Sequence, residues 1–207
     1  MATAFSEIRI RKYPRREVVY SGRYVFNWFS NFTASGFPVV YRGYTTNRLE
    51  IAYVAAKNPE AIVPTGIYPP DGTTMRFIDR IFTTPAASKA KWLGKSKSRG
   101  GLVDARGDWE FVKLAAMDNF LRQRWQPGSE AFIRLLTEET PIVEFNNWGD
   151  TVWGAVVGKW SGQNAFGILL DLIVAEYRES GKVSPGAEEQ YWERRQDELI
   201  LTMNNLP

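Results

Sequence analysis

Residues 146–167 read NNWGDTVWGAVVGKWSGQNAFG, a stretch with three tryptophans, five glycines, one acid and a Gln-Asn pair. Its glycine content is too high for a helix interior, so it predicts a looped strand pair that leads into a helix. Glycine lets a backbone approach another group closely, and tryptophan offers a flat face on which a ring can stack. These features are typical of a nucleotide or nucleoside pocket. They are equally typical of a hairpin whose rings cover a hydrophobic core.

The composition describes a folded globular chain. Of 207 residues, 44% are apolar and 14% aromatic, which is enough for one sizeable core. No stretch approaches the ~20 apolar residues of a membrane span. The first residues, MATAFSEIRIRKYPRR, lack the apolar core of a signal peptide. We therefore expect a cytoplasmic protein with no membrane partner.

The chain lacks two residue types, and their absence limits the catalytic mechanisms that it can use. The chain has no cysteine and no histidine, which excludes a thiolate nucleophile, an imidazole base and an ordinary zinc site. Acid-base chemistry therefore falls to Asp, Glu, Lys or Tyr. There is no closely spaced group of acids for Mg²⁺ and no GxGxxG or Walker pattern. We predict a protein without metal or cofactor, and neither a Rossmann nor a P-loop enzyme.

The net charge of +3 is concentrated in two basic runs, at 9–16 and 89–99. Clustered Lys and Arg favour a phosphate-bearing partner. A solvated charged face explains each run equally well.

A helix is predicted from Asn47 to about residue 58. Asn47 and Glu50 have the spacing of a capping box, which gives Glu50 a structural explanation. Glu50, Tyr53 and Lys57 also fall at i, i+3 and i+7, so the acid, the tyrosine and the lysine share one helical face. That face is either a structural ion pair or part of a site.

The remaining pattern predicts a single helix-dominated α+β domain over 1–180 with a small, mostly antiparallel sheet. Strands are expected at 8–10, 37–41 and 141–145, and a long loop or insertion at 59–84. Residues 181–207 form a helical extension, packed against the domain or used for self-association. Further helices are predicted at 85–93, 108–124, 129–136, 165–180 and 187–201.

Several motifs in order resemble the NADAR family, which includes the YbiA-like N-glycosidases. They span about residues 25–180, most of the chain, with three departures. The 59–84 loop is longer, Arg48 stands where a small polar residue is expected, and the tail after residue 180 has no counterpart. The resemblance implies cleavage of N-glycosidic bonds, in early riboflavin intermediates or ADP-ribosylated guanine bases. The motifs are FSNF (29–32), LEIAYVAAK (49–57), TPAASKA (84–90), RGDWEFVKLAAM (106–117), DTVWG (150–154) and GQNAFG (162–167).

The residues themselves are suited to this chemistry. Breaking a ribose C1′–N bond passes through an oxocarbenium-like state, which requires negative charge near C1′, help for the leaving nitrogen and a held water. Glu50 and Asp150 supply carboxylates and Lys57 a cation, and which acid activates water is left open. Further substrate contacts are expected from Asn31, Phe32, Tyr53, Trp153, Gly162, Gln163 and Asn164.

A second function from another class fits the same residues. A non-catalytic module could bind ADP-ribose or NAD through stacking and glycine approach alone. The enzyme is favoured because a binding module needs no acid paired with a lysine at its sugar. The basic runs leave open whether the substrate is a free small molecule or a modified base in a nucleic acid, and the oligomeric state is also open.

Overall fold

A computed structural model describes residues 3–12, 36–66, 72–138, 141–146 and 149–206. Within these ranges the chain forms seven α-helices and eight short strands. The helices are α1 (Leu49–Ala56), α2 (Phe77–Phe82), α3 (Ala87–Leu93), α4 (Trp109–Arg124), α5 (Glu130–Thr137), α6 (Ala165–Ser180) and α7 (Trp192–Asn205). The strands are β1 (Arg11–Lys12), β2 (Val39–Tyr41), β3 (Tyr44–Thr46), β4 (Ile62–Pro64), β5 (Thr74–Arg76), β6 (Phe145–Asn146), β7 (Ala155–Val156) and β8 (Ser161–Gly162).

Helix α4 forms the centre of the core. Helices α1, α6 and α7 all pack against it. Six apolar side chains recur at helical spacing along one face, as is typical of an amphipathic helix, and all of them are buried against the packing partners. They are Trp109, Val112, Ala116, Met117, Phe120 and Leu121.

The largest sheet has four strands in the order β1-β8-β7-β6. Strands β6 and β7 are parallel, and the other two pairs are antiparallel, as expected for a small, mostly antiparallel sheet. Two glycines allow its strands to lie close together. A Cβ at Gly154 would lie 2.1 Å from the Glu144 carbonyl oxygen, and one at Gly162 would lie 2.1 Å from the Gly154 carbonyl oxygen.

The prediction of a long loop at 59–84 is wrong, because much of the described part of this range is regular structure; that the segment is an insertion stays a prediction. Strands β4 and β5 pair as an antiparallel hairpin, and α2 follows directly. The backbone N–H of Phe77 donates to the Ala61 carbonyl at 2.7 Å, which places the start of α2 beside the start of the hairpin. The Pro and Gly content of this range therefore belongs to a β-hairpin and not to an irregular loop.

Several predicted helix and strand starts also differ. The capping box at Asn47 is not formed: α1 begins after Arg48 with no side-chain cap, and Thr46 Oγ1 accepts from the Arg48 N–H instead. The helix predicted at 85–93 begins at Ala87, as α3. The Thr84 hydroxyl donates to the Arg80 carbonyl and so does not cap this helix. The strand predicted at 8–10 is wrong: these residues have no regular structure and connect a 3-10 turn at Phe5–Glu7 to β1. Only the end of 141–145 is strand, as β6.

The tail packs on the domain through α7. Trp192, Leu199 and Met203 are buried in the same core as α4. Gln196 is fully buried; its Oε1 accepts from the Leu114 N–H, and its Nε2 donates to the Glu110 carbonyl. Among the helices described, none is both long and apolar enough to cross a membrane.

Candidate functional site

Helix α1 brings Glu50, Tyr53 and Lys57 to one face, and every residue of the helix is buried. Glu50 is only 7% exposed although it is an acid. It lies in the first turn, where the positive end of the helix dipole favours a carboxylate. The N-cap residue is Arg48 and not the predicted Asn47, so Glu50 stands at the second helical position and not at the third position that a capping box requires.

Lys57 is a half-buried cation in crowded surroundings. Its Nζ donates to the Gly94 carbonyl at 3.2 Å, at the end of α3. Burial lowers the pKa of Lys57, the negative charge of Glu50 opposes that shift, and the positive charges of Lys91 and Lys113 lower the pKa further. The ammonium is therefore fixed at the end of α3 and interacts electrostatically with the carboxylate of its own helix.

Asp150 organises the turn that carries Trp153. Its Oδ1 accepts from the Val152 N–H at 2.9 Å and the Trp153 N–H at 3.0 Å. The side chain of Asn146 holds Asp150 in place by accepting from its N–H at 2.9 Å. The carboxylate thus has a structural task in addition to any chemical one.

Aromatic rings line one side of these charges. The Trp153 ring lies 4.6 Å from Phe5 and 5.5 Å edge-on from Tyr53, centroid to centroid. Burial raises the pKa of Tyr53 well above its ordinary value, and the charges of Glu50, Glu110 and Asp150 raise it further. Carboxylates from α1, α4 and the 150–154 turn therefore act on one buried phenol.

Glu144 joins this group and was not expected from the sequence. Burial raises its pKa from 4.5 to about 7, Asp150 and Glu50 raise it too, and Lys91 opposes them. In the described part of the chain no group donates a hydrogen bond to its carboxylate. Its one sequence signal is an acid within the otherwise apolar run PIVEF.

The amide pair that follows β8 holds backbone segments around the site. Gln163 donates through Nε2 to the Ser6 carbonyl at 3.2 Å and to the Ile8 carbonyl. Asn164 has a left-handed backbone (φ 52°); its Nδ2 donates to Ile142 and its Oδ1 accepts from the Glu144 N–H at 2.9 Å. Asn164 therefore fixes the backbone of Glu144.

Not every predicted site residue falls in the described ranges. Asn31 and Phe32 lie outside them. Gly162 lies in β8, opposite Arg11 and Ala155, where the strands approach closely. Within the described residues no group of three or more acids is arranged to hold a metal ion.

Comparison with known proteins supports the fold. No family model matches the chain, and no curated protein matches it. Among solved structures, the chain is similar to the NMR structure of the E. coli protein YbiA, with a TM-score of 0.58 and 22% identity. The match covers 84% of this chain and 93% of YbiA. The mixed α+β architecture is therefore YbiA-like.

Proposed function

We propose that the chain is an N-glycosidase that hydrolyses the ribose C1′–N bond of an N-ribosylated or ADP-ribosylated base. One observation carries the proposal. Tyr53, which shares helix α1 with Glu50, meets the Trp153 ring edge-on at 5.5 Å, and the Trp153 N–H donates to Asp150 at 3.0 Å, so distant parts of the sequence bring two carboxylates to one aromatic wall. Groups with shifted pKa values beside an aromatic wall are typical of active sites.

The YbiA-like fold and the ordered NADAR-like motifs support the same reaction class. The resemblance offers two substrate types, an early riboflavin-pathway intermediate and an ADP-ribosylated guanine. In either one a flat base is joined to ribose, and the half-buried Trp153 ring gives that base a stacking face.

In the proposed reaction a water oxygen bonds to C1′ while the C1′–N bond breaks. The electron pair of that bond leaves with the base nitrogen, which takes a proton. Glu144 is suited to donate it, because a carboxyl with a pKa of about 7 is partly protonated at neutral pH. The proton lost by the water passes to an ionised carboxylate, Glu50 or Asp150, and the net reaction is hydrolysis.

Negative charge near C1′ stabilises the developing positive charge on the sugar. Glu50 is the better placed of the two acids for this role, because burial keeps water from screening its charge. Asp150 already has one oxygen committed to two backbone N–H groups, so it suits a fixed orienting role. The negative charge of Glu50 in turn opposes the lowering of the Lys57 pKa by burial, which favours a charged ammonium beside the site.

Replacing Glu50 by Gln tests the proposal. Glutamine keeps the shape but carries no charge, so single-turnover hydrolysis of an ADP-ribosylated guanine nucleoside should fall by about 10²- to 10⁴-fold. Thermal melting should change little. Glu110→Gln is the matched control, since Glu110 also acts on Tyr53 but is exposed and paired with Lys113. Turnover of Glu50→Gln close to that of the unmodified protein would refute the proposal for this residue.

The binding-module alternative is separated by a second measurement. Calorimetry with ADP-ribose, run beside chromatography of the mixture, distinguishes binding from cleavage. Tight binding with an N-ribosylated ligand still intact after hours would favour a module. Release of the free base favours the enzyme.

A further inference from the structure

Residues 3–12, which we call the amino-terminal strap, lie between α7 and the candidate site. Phe5 is the strap residue that reaches the site: it is 1% exposed, and its ring centroid lies 4.6 Å from that of Trp153. The ammonium of Lys113, on the central helix α4, lies 4.3 Å from the centre of the Phe5 ring. This cation–π contact and close packing in the core fix where the Phe5 ring lies.

Helix α7 holds the strap on both sides of that ring. On one side, the Thr3 N–H donates to the Asp197 carboxylate at 2.6 Å. On the other side, Asn204 accepts from the Arg9 N–H at 2.7 Å and donates to the Glu7 carbonyl at 3.1 Å. The oxygen and the nitrogen of the Asn204 side chain are therefore both bonded to the strap, and α7 determines where the strap lies.

The strap is also attached to the loop that leads into the site. Its last residues form β1, which pairs with β8. Gln163, directly after β8, donates to the carbonyls of Ser6 and Ile8. Chains of hydrogen bonds and packed side chains of this kind transmit a displacement from one element to the next. A change in α7 would therefore reach the residues beside the site.

The direction of the Trp153 ring depends on the rings beside it. Hydrogen bonds fix its backbone, since its N–H donates to Asp150 at 3.0 Å and its carbonyl accepts from the Phe166 N–H at 3.1 Å. These bonds do not determine the side-chain rotamer. Packing against Phe5 and the edge-on contact with Tyr53 select it. Trp153 is half-buried, so part of its ring remains accessible.

We propose that Phe5 is a positioning residue for the stacking surface of Trp153, and that α7 acts on the site by holding Phe5 in place through the strap. This rests on the proposed function, in which Trp153 stacks on the base of the substrate, and it gives the tail a part in substrate binding. The base is stacked both in the bound substrate and in the transition state. A misplaced Trp153 ring should therefore raise KM and leave kcat unchanged.

A strap that only stabilised the fold would have a different kinetic effect. Weakening it would lower the fraction of folded protein and with it the apparent kcat. The folded molecules would still bind substrate normally, so KM would stay the same. The separate effects on KM and kcat therefore distinguish positioning from stabilisation.

Asn204→Ala tests the connection from outside the site, because it removes both hydrogen bonds to the strap and leaves Phe5 and Trp153 unaltered. With an ADP-ribosylated guanine nucleoside, KM should rise about 5- to 10-fold, part of the roughly 5- to 150-fold that complete loss of base stacking costs. Thr202→Ala is the matched control, since Thr202 is an exposed residue of α7 whose hydroxyl donates to the Glu198 carbonyl of the same helix. Its KM should be unchanged.

Phe5→Leu tests whether the effect passes through this ring. Leucine keeps an apolar side chain in the core but removes the ring, so KM should rise to a similar degree. The double variant Phe5→Leu/Asn204→Ala should have the KM of Phe5→Leu alone, because α7 then has no ring to hold in place. Multiplied effects of the two substitutions would overturn the route through Phe5.

Fluorine NMR of the protein labelled with 5-fluorotryptophan tests the positioning without turnover. The Trp153 resonance, identified by its loss in Trp153→Phe, should shift in Asn204→Ala and in Phe5→Leu but not in Thr202→Ala. An unchanged resonance in Asn204→Ala, or a shifted resonance with unchanged KM, would overturn this inference. If the unmodified protein cleaves no N-ribosylated base, the N-glycosidase alone is refuted. The Kd for ADP-ribose then replaces KM, and a Kd that Asn204→Ala leaves unchanged would overturn the role of the strap.

Discussion

Two charge clusters in this molecule are built in opposite ways. Around Asp118 every charge has a partner: its two carboxylate oxygens accept from Arg122 and Arg195 at 2.9 Å each, and Arg122 also contacts Glu176 at 2.6 Å. Around Glu144 the neighbouring acids Asp150 and Glu50 both raise its pKa, and Lys91 opposes them. We call these three acids the crowded cluster, and the group around Asp118 the paired cluster.

The pKa values follow this difference. Burial alone would raise the pKa of Glu176, but hydrogen bonds from Ser184 and Arg122 bring it down to about 2. The pKa of Glu144 rises to about 7 from burial and its acidic neighbours. A paired cluster stabilises the fold, whereas a crowded one costs stability and is retained where a reaction needs shifted pKa values.

Breaking the paired cluster should have the largest effect on stability. Asp118→Ala removes a fully buried acceptor and leaves two arginines without it, so the free energy of unfolding should fall by about 3–5 kcal/mol. Urea denaturation measures this. Glu198→Ala, which breaks only the exposed end of the same network, is the control and should cost at most about 1 kcal/mol. Similar losses in the two variants would show that the cluster is not a stabilising one.

A smaller effect is expected where the sheet supports the crowded cluster. In Gly154→Ala the new methyl would lie 2.1 Å from the Glu144 carbonyl oxygen, and overpacking of this kind costs about 1–3 kcal/mol. Turnover should fall as well, because the strand that carries Glu144 must move. Gly107→Ala, with open space at its Cβ, should change neither property. Unchanged melting of Gly154→Ala would contradict the close approach of these strands.

The smallest effect on stability is expected at Asp171, a carboxyl outside the site whose pKa is raised. Burial raises the pKa of Asp171 from 3.8 to about 7, while the Ile142 N–H and Arg178 oppose the shift. The folded protein then holds this proton when the unfolded chain has lost it, so stability falls as pH rises from about 4 to 7. The full shift would correspond to about 4 kcal/mol, but solvent screens this half-buried carboxyl, so Asp171→Asn should raise the free energy of unfolding by only about 1 kcal/mol at pH 8 and by nothing below pH 3.8. Turnover should stay the same; a loss would place Asp171 in the chemistry.

Much of the fold follows from sequence pattern. Helices α4 and α6 end where predicted, because long amphipathic or apolar runs with clear stop signals determine their own limits. The helix predicted at 129–136 is confirmed as α5, with Ser129 as its cap, accepting from the Phe132 N–H. The hairpin at β4–β5 was missed because its pairing is set by contacts with α2, which local Pro and Gly content does not reveal.

The site was harder to predict for a related reason. Glu50, Tyr53 and Lys57 share a helix, so spacing alone placed them together. Glu144 becomes notable only when β6 is brought beside the turn that carries Asp150. Gln163 and Asn164 are polar residues in a glycine-rich loop, a pattern that fits ligand binding and backbone support equally well. In the structure both side-chain amides donate to backbone carbonyls, Gln163 to Ile8 and Asn164 to Ile142.

The most direct test compares turnover and stability in Glu144→Gln. Glutamine removes the crowded charge and the acidic proton but keeps the shape. Turnover at pH 7 should fall at least about 10²-fold, while the free energy of unfolding at pH 8 should match or exceed that of the unmodified protein, because ionised Glu144 is unfavourable in the folded state. Unchanged turnover, or a clear loss of stability at pH 8, would contradict the view that this cluster is kept for chemistry at the expense of stability.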